Sequence, residues 1–284
     1  NDEMITLAKF LAISGIILPM LPHKNLIPDI NLTPYSIWLA TVVVSGISYL
    51  SYLLKRYVFH ESGTLVSGII GGLYSSTATI SVLARKSRKA SEQEATDYVA
   101  AMLLAVSMMF LRFMILILIF SREIFLSIYP YLLTMAVVAA IVAWFIHSRQ
   151  KRPEDQPAET EEDDSSNPLE FKVALIFAVL FVIFTFLTHY TLVYAGTGGL
   201  NLLSFVSGFS DITPFILNLL QNTGSVAALI ITACSMQAII SNIMVNMFYA
   251  LFFAGKGSKL RPWILGGFGV VIACNLVLLL FFYI

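Results

Sequence analysis

The sequence predicts an all-α fold, a polytopic bundle of transmembrane helices, and three observations support it. The 284-residue chain is 58% hydrophobic and only 12% charged, whereas soluble domains carry about 25% charged residues. Its apolar residues form continuous runs near the roughly 20 residues that a helix needs to cross a bilayer. These runs lack the alternation that is typical of membrane β-barrels. The composition thus excludes an ordinary soluble domain and a disordered chain.

Nine segments meet or approach the length and hydropathy expected of a spanning helix. They are 5–21, 35–54, 63–84, 98–120, 126–147, 172–194, 199–221, 224–253 and 262–284. We expect the first of them to be an extra N-terminal helix that precedes two related halves of the chain.

Segment 148–171 separates these halves. It holds eight of the 17 acidic residues and lacks the order of a calcium-binding loop, so its composition indicates a solvated, acidic linker on the cytoplasmic side. We therefore expect a single membrane domain, 1–284, with the N-terminal helix and first repeat in 1–147 and the second repeat in 172–284. The chain begins at Asn1 rather than at methionine, which suggests a fragment or a processed product.

Residues 63–83 align without gaps on residues 199–219. The identical pairs are Gly63/Gly199, Gly72/Gly208, Thr77/Thr213, Ile80/Ile216 and Leu83/Leu219. In each segment a glycine and a cluster of small hydroxylated residues interrupt an apolar run, and a long apolar helix with polar residues follows. Duplicated, glycine-interrupted segments at corresponding positions indicate the binding site of a transporter.

The distribution of Lys and Arg predicts how these two segments are arranged. If all nine segments cross the membrane, the connections on the two sides carry nine and six basic residues, with Lys9 and Arg112 left out. If 63–84 and 199–221 are instead re-entrant, the split becomes thirteen to two. Because basic residues concentrate in cytoplasmic loops, the second arrangement is favoured. Each repeat then has three crossings, so the repeats are inverted, and we expect a multi-pass protein of the bacterial inner membrane.

Two charged residues lie inside predicted membrane segments. Arg112 is deep in an apolar helix, and Asp211 is the only acid within any predicted span. Charge at that depth is expensive and usually marks a functional position with a partner. For Arg112 the alternative is a contact that only locks helices together. Asp211 has three possible roles: a counter-ion for Arg112, a protonatable relay or a cation ligand.

Polar residues near the two glycine breaks complete the candidate site. The predicted substrate or ion site comprises Gly72, Ser75, Ser76, Thr77, Arg112, Asp211, Thr213, Asn242 and Asn246. Freed carbonyls and hydroxyls there suit a cation, whereas half-helix N-termini suit an anion. Single Ser, Thr or Asn residues also commonly join helices in membranes. The identity of any metal is left open.

Several motifs are absent from the sequence. The four histidines are scattered without the spacing of a zinc site, and neither a nucleotide-binding loop nor a nucleophile elbow is present. We therefore expect no enzyme and no cofactor. The net charge of zero indicates no nucleic-acid partner.

Several short segments of the sequence are similar to those of a known family. They are ISGIILPMLP, GGLYSSTATISVLARKSRKA, SGFSDITPF and SNIMVNMFYA. They resemble the C-terminal membrane domain of MgtC/SapB-family proteins, which is catalogued as of unknown function. The resemblance implies a membrane location, a transport-like role and an MgtC-like domain as partner. A basic residue often stands in that family where this chain has Asn246.

The leading hypothesis is a transporter or permease for an ion or small solute, with one site midway through the membrane between the repeats. The alternative is a non-transporting regulatory or scaffold domain that partners an MgtC-like domain or another membrane complex. The expected partners are the lipid bilayer, a small ion or solute and, as further candidates, an MgtC-like domain and a second copy of the chain.

Overall fold

The computed structural model describes residues 10, 12, 14–54, 57, 63–88, 90, 92–149, 171–221, 226–255 and 258–283. Residues 150–170 of the predicted linker 148–171 and most of the first half of the N-terminal helix lie outside these residues. Within them the chain is helical apart from its connections, so the predicted all-α fold is confirmed. The helices are α1 Pro34–Leu53, α2 Thr64–Lys86, α3 Glu92–Phe120, α4 Arg122–Ser148, α5 Phe171–Ser207, α6 Ile212–Gln221, α7 Ala228–Ala254 and α8 Arg261–Tyr283. Residues 14–20 are also helical.

Seven of the described helices are long and apolar enough to cross a membrane, and α6 is too short. Their length and composition make this a multi-pass membrane protein. The starts of α1 and α4 are capped by the side chains of Thr33 and Ser121, which accept backbone N–H groups of the first turn. Such caps satisfy N–H groups that have no partner inside the helix, so these residues set where each helix begins.

Helix α2 meets the length test but does not run straight. Ser75 has extended backbone angles, φ −157° and ψ 106°, in its middle. A Cβ placed on Gly71 would lie 2.5 Å from Oγ1 of Thr79, although eight residues of unbroken helix rise about 12 Å. The two halves, 64–74 and 76–86, therefore fold back on each other. We call α2 hairpin 1.

A second hairpin follows the long helix α5. The helix breaks at Gly196, whose φ of 59° lies in the left-handed region that favours glycine. Residues 197–207 then form one arm, the chain turns at 208–211, and α6 forms the other arm. We call 197–221 hairpin 2.

The two ends of the bundle differ. Arg88 donates to the carbonyl of Phe252 at 3.2 Å and to that of Phe253, so the end of hairpin 1 lies beside the end of α7. His147, at the end of α4, contacts Asp97 near the start of α3 at 2.6 Å. We call this the basic end, because Arg85 and Arg88 lie there.

The opposite end, which we call the far end, carries the start of α1 and the turn between α3 and α4. Gln221, the last residue of hairpin 2, donates to the carbonyl of Ser36 near the start of α1 at 3.4 Å. Hairpin 1 therefore begins and finishes at the basic end, and hairpin 2 begins and finishes at the far end. This is the arrangement that the thirteen-to-two distribution of Lys and Arg favours.

Candidate functional site

Arg112 of α3 contacts the tips of both hairpins. Its Nη1 donates to the backbone carbonyl of Tyr74 at 2.7 Å, and its Nη2 donates to Oγ1 of Thr213 at 2.6 Å. Tyr74 ends the first arm of hairpin 1, and Thr213 is the second residue of α6. A single side chain therefore joins the two interrupted segments midway along the bundle.

Each of these acceptors suits a cation. The last carbonyls of a helix have no partner inside that helix and carry partial negative charge, so the Tyr74 carbonyl is an available acceptor. Thr213 is fully buried, and its hydroxyl would lack a partner without the guanidinium. The Nε of Arg112 is buried and has no acceptor among the described residues.

Asp211 does not form the expected direct ion pair with Arg112. Its Oδ1 instead accepts the backbone N–H of Thr213 at 2.9 Å, which makes Asp211 the cap of α6. The ion pair found among the described residues is that of His147 and Asp97.

Ser75 has the same local role in hairpin 1. Its Oγ accepts the backbone N–H of Ala78 at 3.3 Å and so caps the second arm. Each hairpin thus turns at a side-chain cap, a serine in hairpin 1 and an aspartate in hairpin 2. In the alignment of the two repeats, Ser75 stands opposite Asp211.

Helix α7 holds the tip of hairpin 2. Ser241 donates to the carbonyl of Phe205 at 2.7 Å, and Nδ2 of Asn242 donates to the carbonyl of Gly208 at 3.2 Å. Nδ2 of Asn246 in turn donates to Oδ1 of Asn242 at 3.2 Å. Asn246 is fully buried, and its own Oδ1 has no donor among the described residues.

Glycine brings each hairpin into contact with a long helix. A Cβ on Gly72 would lie 2.5 Å from Cα of Ala105 in α3, and one on Gly208 would lie 2.3 Å from Cβ of Ser241 in α7. Real side chains do not approach so closely, so only glycine fits at these two positions. The identity of Gly72 and Gly208 in the two repeats thus has a shared steric cause.

The remaining predicted residues lie next to these groups. Ser76 is buried and Thr77 is half-buried at the start of the second arm of hairpin 1. The guanidinium of Arg85 stacks on the ring of Phe253 at 4.3 Å. The second arm and α7 both run toward the basic end, and each residue of a helix adds the same rise. Counting back along both helices from the contact of Arg85 with Phe253 puts Thr77 at about the same level along the bundle as Asn246. No hydrogen bond joins Thr77 to Thr213 in the described chain, so their proximity stays a prediction.

Two contacts of this region were not predicted. The acceptor from Tyr74 is a backbone atom, which no residue type in the sequence identifies. Nδ2 of Asn218 donates to Oγ1 of Thr185 at 2.6 Å and joins hairpin 2 to α5. Asn218 interrupts an otherwise apolar run, and that interruption was the available signal.

A family description matches residues 42–254 of the chain, that of a domain of unknown function, DUF4010. The chain belongs to the DUF4010 family. An uncharacterized protein of Aquifex aeolicus (strain VF5) is 24% identical over 227 residues, which cover 78% of this chain and 96% of that protein. No solved structure matches the chain.

The part of the chain that defines its DUF4010 membership runs from within α1 to the end of α7. It contains both hairpins, Arg112 and Asn246. The expectation of a membrane domain catalogued without a function is therefore confirmed, while these matches carry no mention of MgtC or SapB. Among the residues that the structure describes, no three His, Cys, Asp or Glu side chains are grouped as metal ligands.

Proposed function

We propose that this DUF4010 protein is a transporter or permease for an ion or small polar solute, rather than an enzyme, with its site where the hairpin tips meet beside Arg112. One observation carries the proposal: the guanidinium of Arg112 contacts the tip of a hairpin from each end of the bundle. Interrupted helices that end midway through the membrane occur where a protein binds its transported solute.

The physical argument concerns the two breaks in the helices. A broken helix inside a membrane is tolerated only where protein covers it or water reaches it. Here Tyr74, Ser75 and Asp211 stand at such breaks. A protein that needed only stability would be served by two straight helices, so the breaks favour a binding role.

The residues of the site provide groups for a polar solute. The Nε of Arg112 is a buried donor without an acceptor, and Oδ1 of Asn246 is a buried acceptor without a donor. One lies on α3 and the other on α7, the two long helices that follow the hairpins in the repeats. Burying such groups unpaired is costly, and a solute with both a donor and an acceptor would satisfy them.

Flux into proteoliposomes tests the proposal, with a panel of inorganic ions and small polar solutes. Thr213→Val removes the hydroxyl that Arg112 contacts at nearly unchanged volume, and we expect it to lower flux about tenfold or more, since a bond to a charged group is lost. Thr41→Val is the matched control, because Thr41 is also buried but bonds the carbonyl of Ile37 within its own helix. Equal flux in both variants would count against the site.

A regulatory or scaffold role is the second candidate. Both terminal nitrogens of Arg112 are satisfied by the protein, and a cleft of the described chain lies elsewhere, at the far end. In that role the domain would partner an MgtC-like domain, as its resemblance to MgtC/SapB proteins suggests. Absence of flux for the whole panel, together with co-purification of an MgtC-like protein, would support it.

For either role we propose the bacterial inner membrane as location, with the basic end in the cytoplasm.

A further inference from the structure

A cleft of about 420 Å³ lies at the far end, away from Arg112. Six polar side chains line it: Asp29 and Asn31 from the connection before α1, Thr185, Thr188 and His189 from α5, and Thr197 from the start of hairpin 2. Its volume falls in the range of about 300–1,000 Å³ that is usual for small-molecule sites.

The connection before α1 is held in place by its apolar residues. Ile30 and Leu32 are 3% and 2% exposed, while the alternate residues Asp29 and Asn31 are exposed. The N–H of Leu26 donates to the carbonyl of Leu32 at 2.8 Å and closes the loop. Burial of the apolar pair therefore fixes the polar pair at the mouth of the cleft.

Thr188 is the most informative residue of the cleft. It is only 1% exposed, yet its Oγ1 has no hydrogen-bond partner among the described residues. Thr185, one turn earlier, donates to the carbonyl of Phe181 at 2.9 Å, the bond that a helical threonine readily makes. Thr188 makes no such bond with its own helix, and it lines the cleft.

Of the other polar side chains of the wall, Thr185 is engaged with Phe181 and Asn218, whereas four have no such bond. Asp29, Asn31, His189 and Thr197 make no side-chain hydrogen bond or ion pair within the described part of the chain. Asp29, Asn31 and Thr197 are exposed, so Thr188 is the group that points to an external partner, because buried polar groups are normally hydrogen-bonded.

The chemistry of the wall selects the partner. Asp29 supplies a carboxylate, Thr188 and Thr197 supply hydroxyl acceptors, and no lysine or arginine of the described residues lines the cleft. Ile30, Leu192 and Val193 add an apolar surface. Since an ammonium group has three donors and no acceptor, these acceptors match it, and the apolar surface matches a short alkyl chain.

We propose that this cleft binds a small organic cation, a primary ammonium on a short aliphatic chain, with the ammonium facing Asp29 and Thr188. The site is separate from the one beside Arg112, and the inference does not depend on transport. His23 and Tyr35, whose rings are 4.2 Å apart beside the same loop, take no part in the proposed binding of the cation.

Calorimetric binding to the detergent-solubilised full chain tests the inference with three probes of equal length. They are n-butylammonium, butan-1-ol and butyrate. We expect n-butylammonium to bind, and the neutral and anionic probes to bind at least about tenfold more weakly, since the bond to a charged group is absent.

Two variants locate the site. Asp29→Asn should weaken n-butylammonium binding about tenfold or more. Glu123→Gln is the matched control: it removes one exposed acid at the same end of the bundle, on α4, away from the cleft. Thr188→Val should weaken binding several-fold without lowering the melting temperature, because the lost hydroxyl has no partner in the protein.

Three outcomes would overturn the inference. They are equal binding of n-butylammonium and butan-1-ol, unchanged binding in Asp29→Asn, and an equal loss in Glu123→Gln. A folding defect in Asp29→Asn leaves Thr188→Val as the test, since a purely structural threonine there would change stability and not affinity. Because butylammonium binding is measured without flux, its failure is distinct from failure of the transport proposal.

Discussion

Replacement of Gly208 by alanine tests the contact between the tip of hairpin 2 and α7. The added Cβ would lie 2.3 Å from Cβ of Ser241 and 2.8 Å from the backbone nitrogen of Asn242. Carbon atoms pack at about 3.5–4.0 Å, so the tip must withdraw by about 1.2–1.7 Å. The backbone nitrogen belongs to a helix and cannot rotate away, so the hairpin must move.

That withdrawal affects two hydrogen bonds. The bond from Asn242 to the Gly208 carbonyl is 3.2 Å long, and the bond from Ser241 to the Phe205 carbonyl is 2.7 Å long. Each is worth about 0.5–1.5 kcal/mol, and overpacking adds about 1–3 kcal/mol. We therefore expect Gly208→Ala to lower the free energy of unfolding by roughly 2–6 kcal/mol.

Unfolding in mixed micelles, followed by circular dichroism against the fraction of denaturing detergent, measures this loss. Gly266→Ala in α8 is the matched control, because nothing lies within 4 Å of a Cβ placed there. We expect the control to be neutral or stabilising by up to about 1 kcal/mol, since alanine favours helix over glycine. A Gly208→Ala protein as stable as the control would refute the close contact.

Two further predictions concern the ends of the bundle. Single cysteines at Gly63 and Arg85, at the two ends of hairpin 1 in a cysteine-free background, should react with a membrane-impermeant maleimide from one side, and a cysteine at Ser127 should react from the other. Labelling of Gly63→Cys and Arg85→Cys from opposite sides would contradict the re-entrant hairpin. Asp97→Asn should cost at most about 1 kcal/mol, because its contact with His147 is partly exposed, and a larger fall in the melting temperature would show a deeper structural role.

The sequence predicts the helices and the hairpins for identifiable physical reasons. Apolar runs indicate where the helices lie, because a helix needs about 20 apolar residues to cross the bilayer. The glycines at 72 and 208 report the hairpins because close helix contact excludes a side chain there. The basic residues then distinguish hairpins from crossings, since their sidedness depends on how many times the chain crosses.

The sequence predicts the contacts of the site less well. Arg112 bonds a backbone carbonyl, and every residue has one, so Tyr74 carried no signal. A counter-ion for Arg112 was one of the three roles considered for Asp211, yet Asp211 caps a helix only two residues away. A local bond of that kind needs almost no ordering of the chain, whereas a distant partner must be positioned by the fold. The cleft at the far end combines residues from two remote segments, which only the folded chain brings together.

Under the proposed transport function, the contact of Arg112 with both hairpins would oppose leakage of solute. Exposure of the site to one face requires retreat of the hairpin from that face, and the guanidinium then loses an acceptor worth about 1.5–3 kcal/mol. A bound solute that has its own acceptor offsets this loss. Opening of the site is therefore favoured when solute is bound and disfavoured when the site is empty. Because one cation serves both tips, the same penalty opposes leakage in either direction, and it also discourages both tips from retreating at once, which would form a continuous pore.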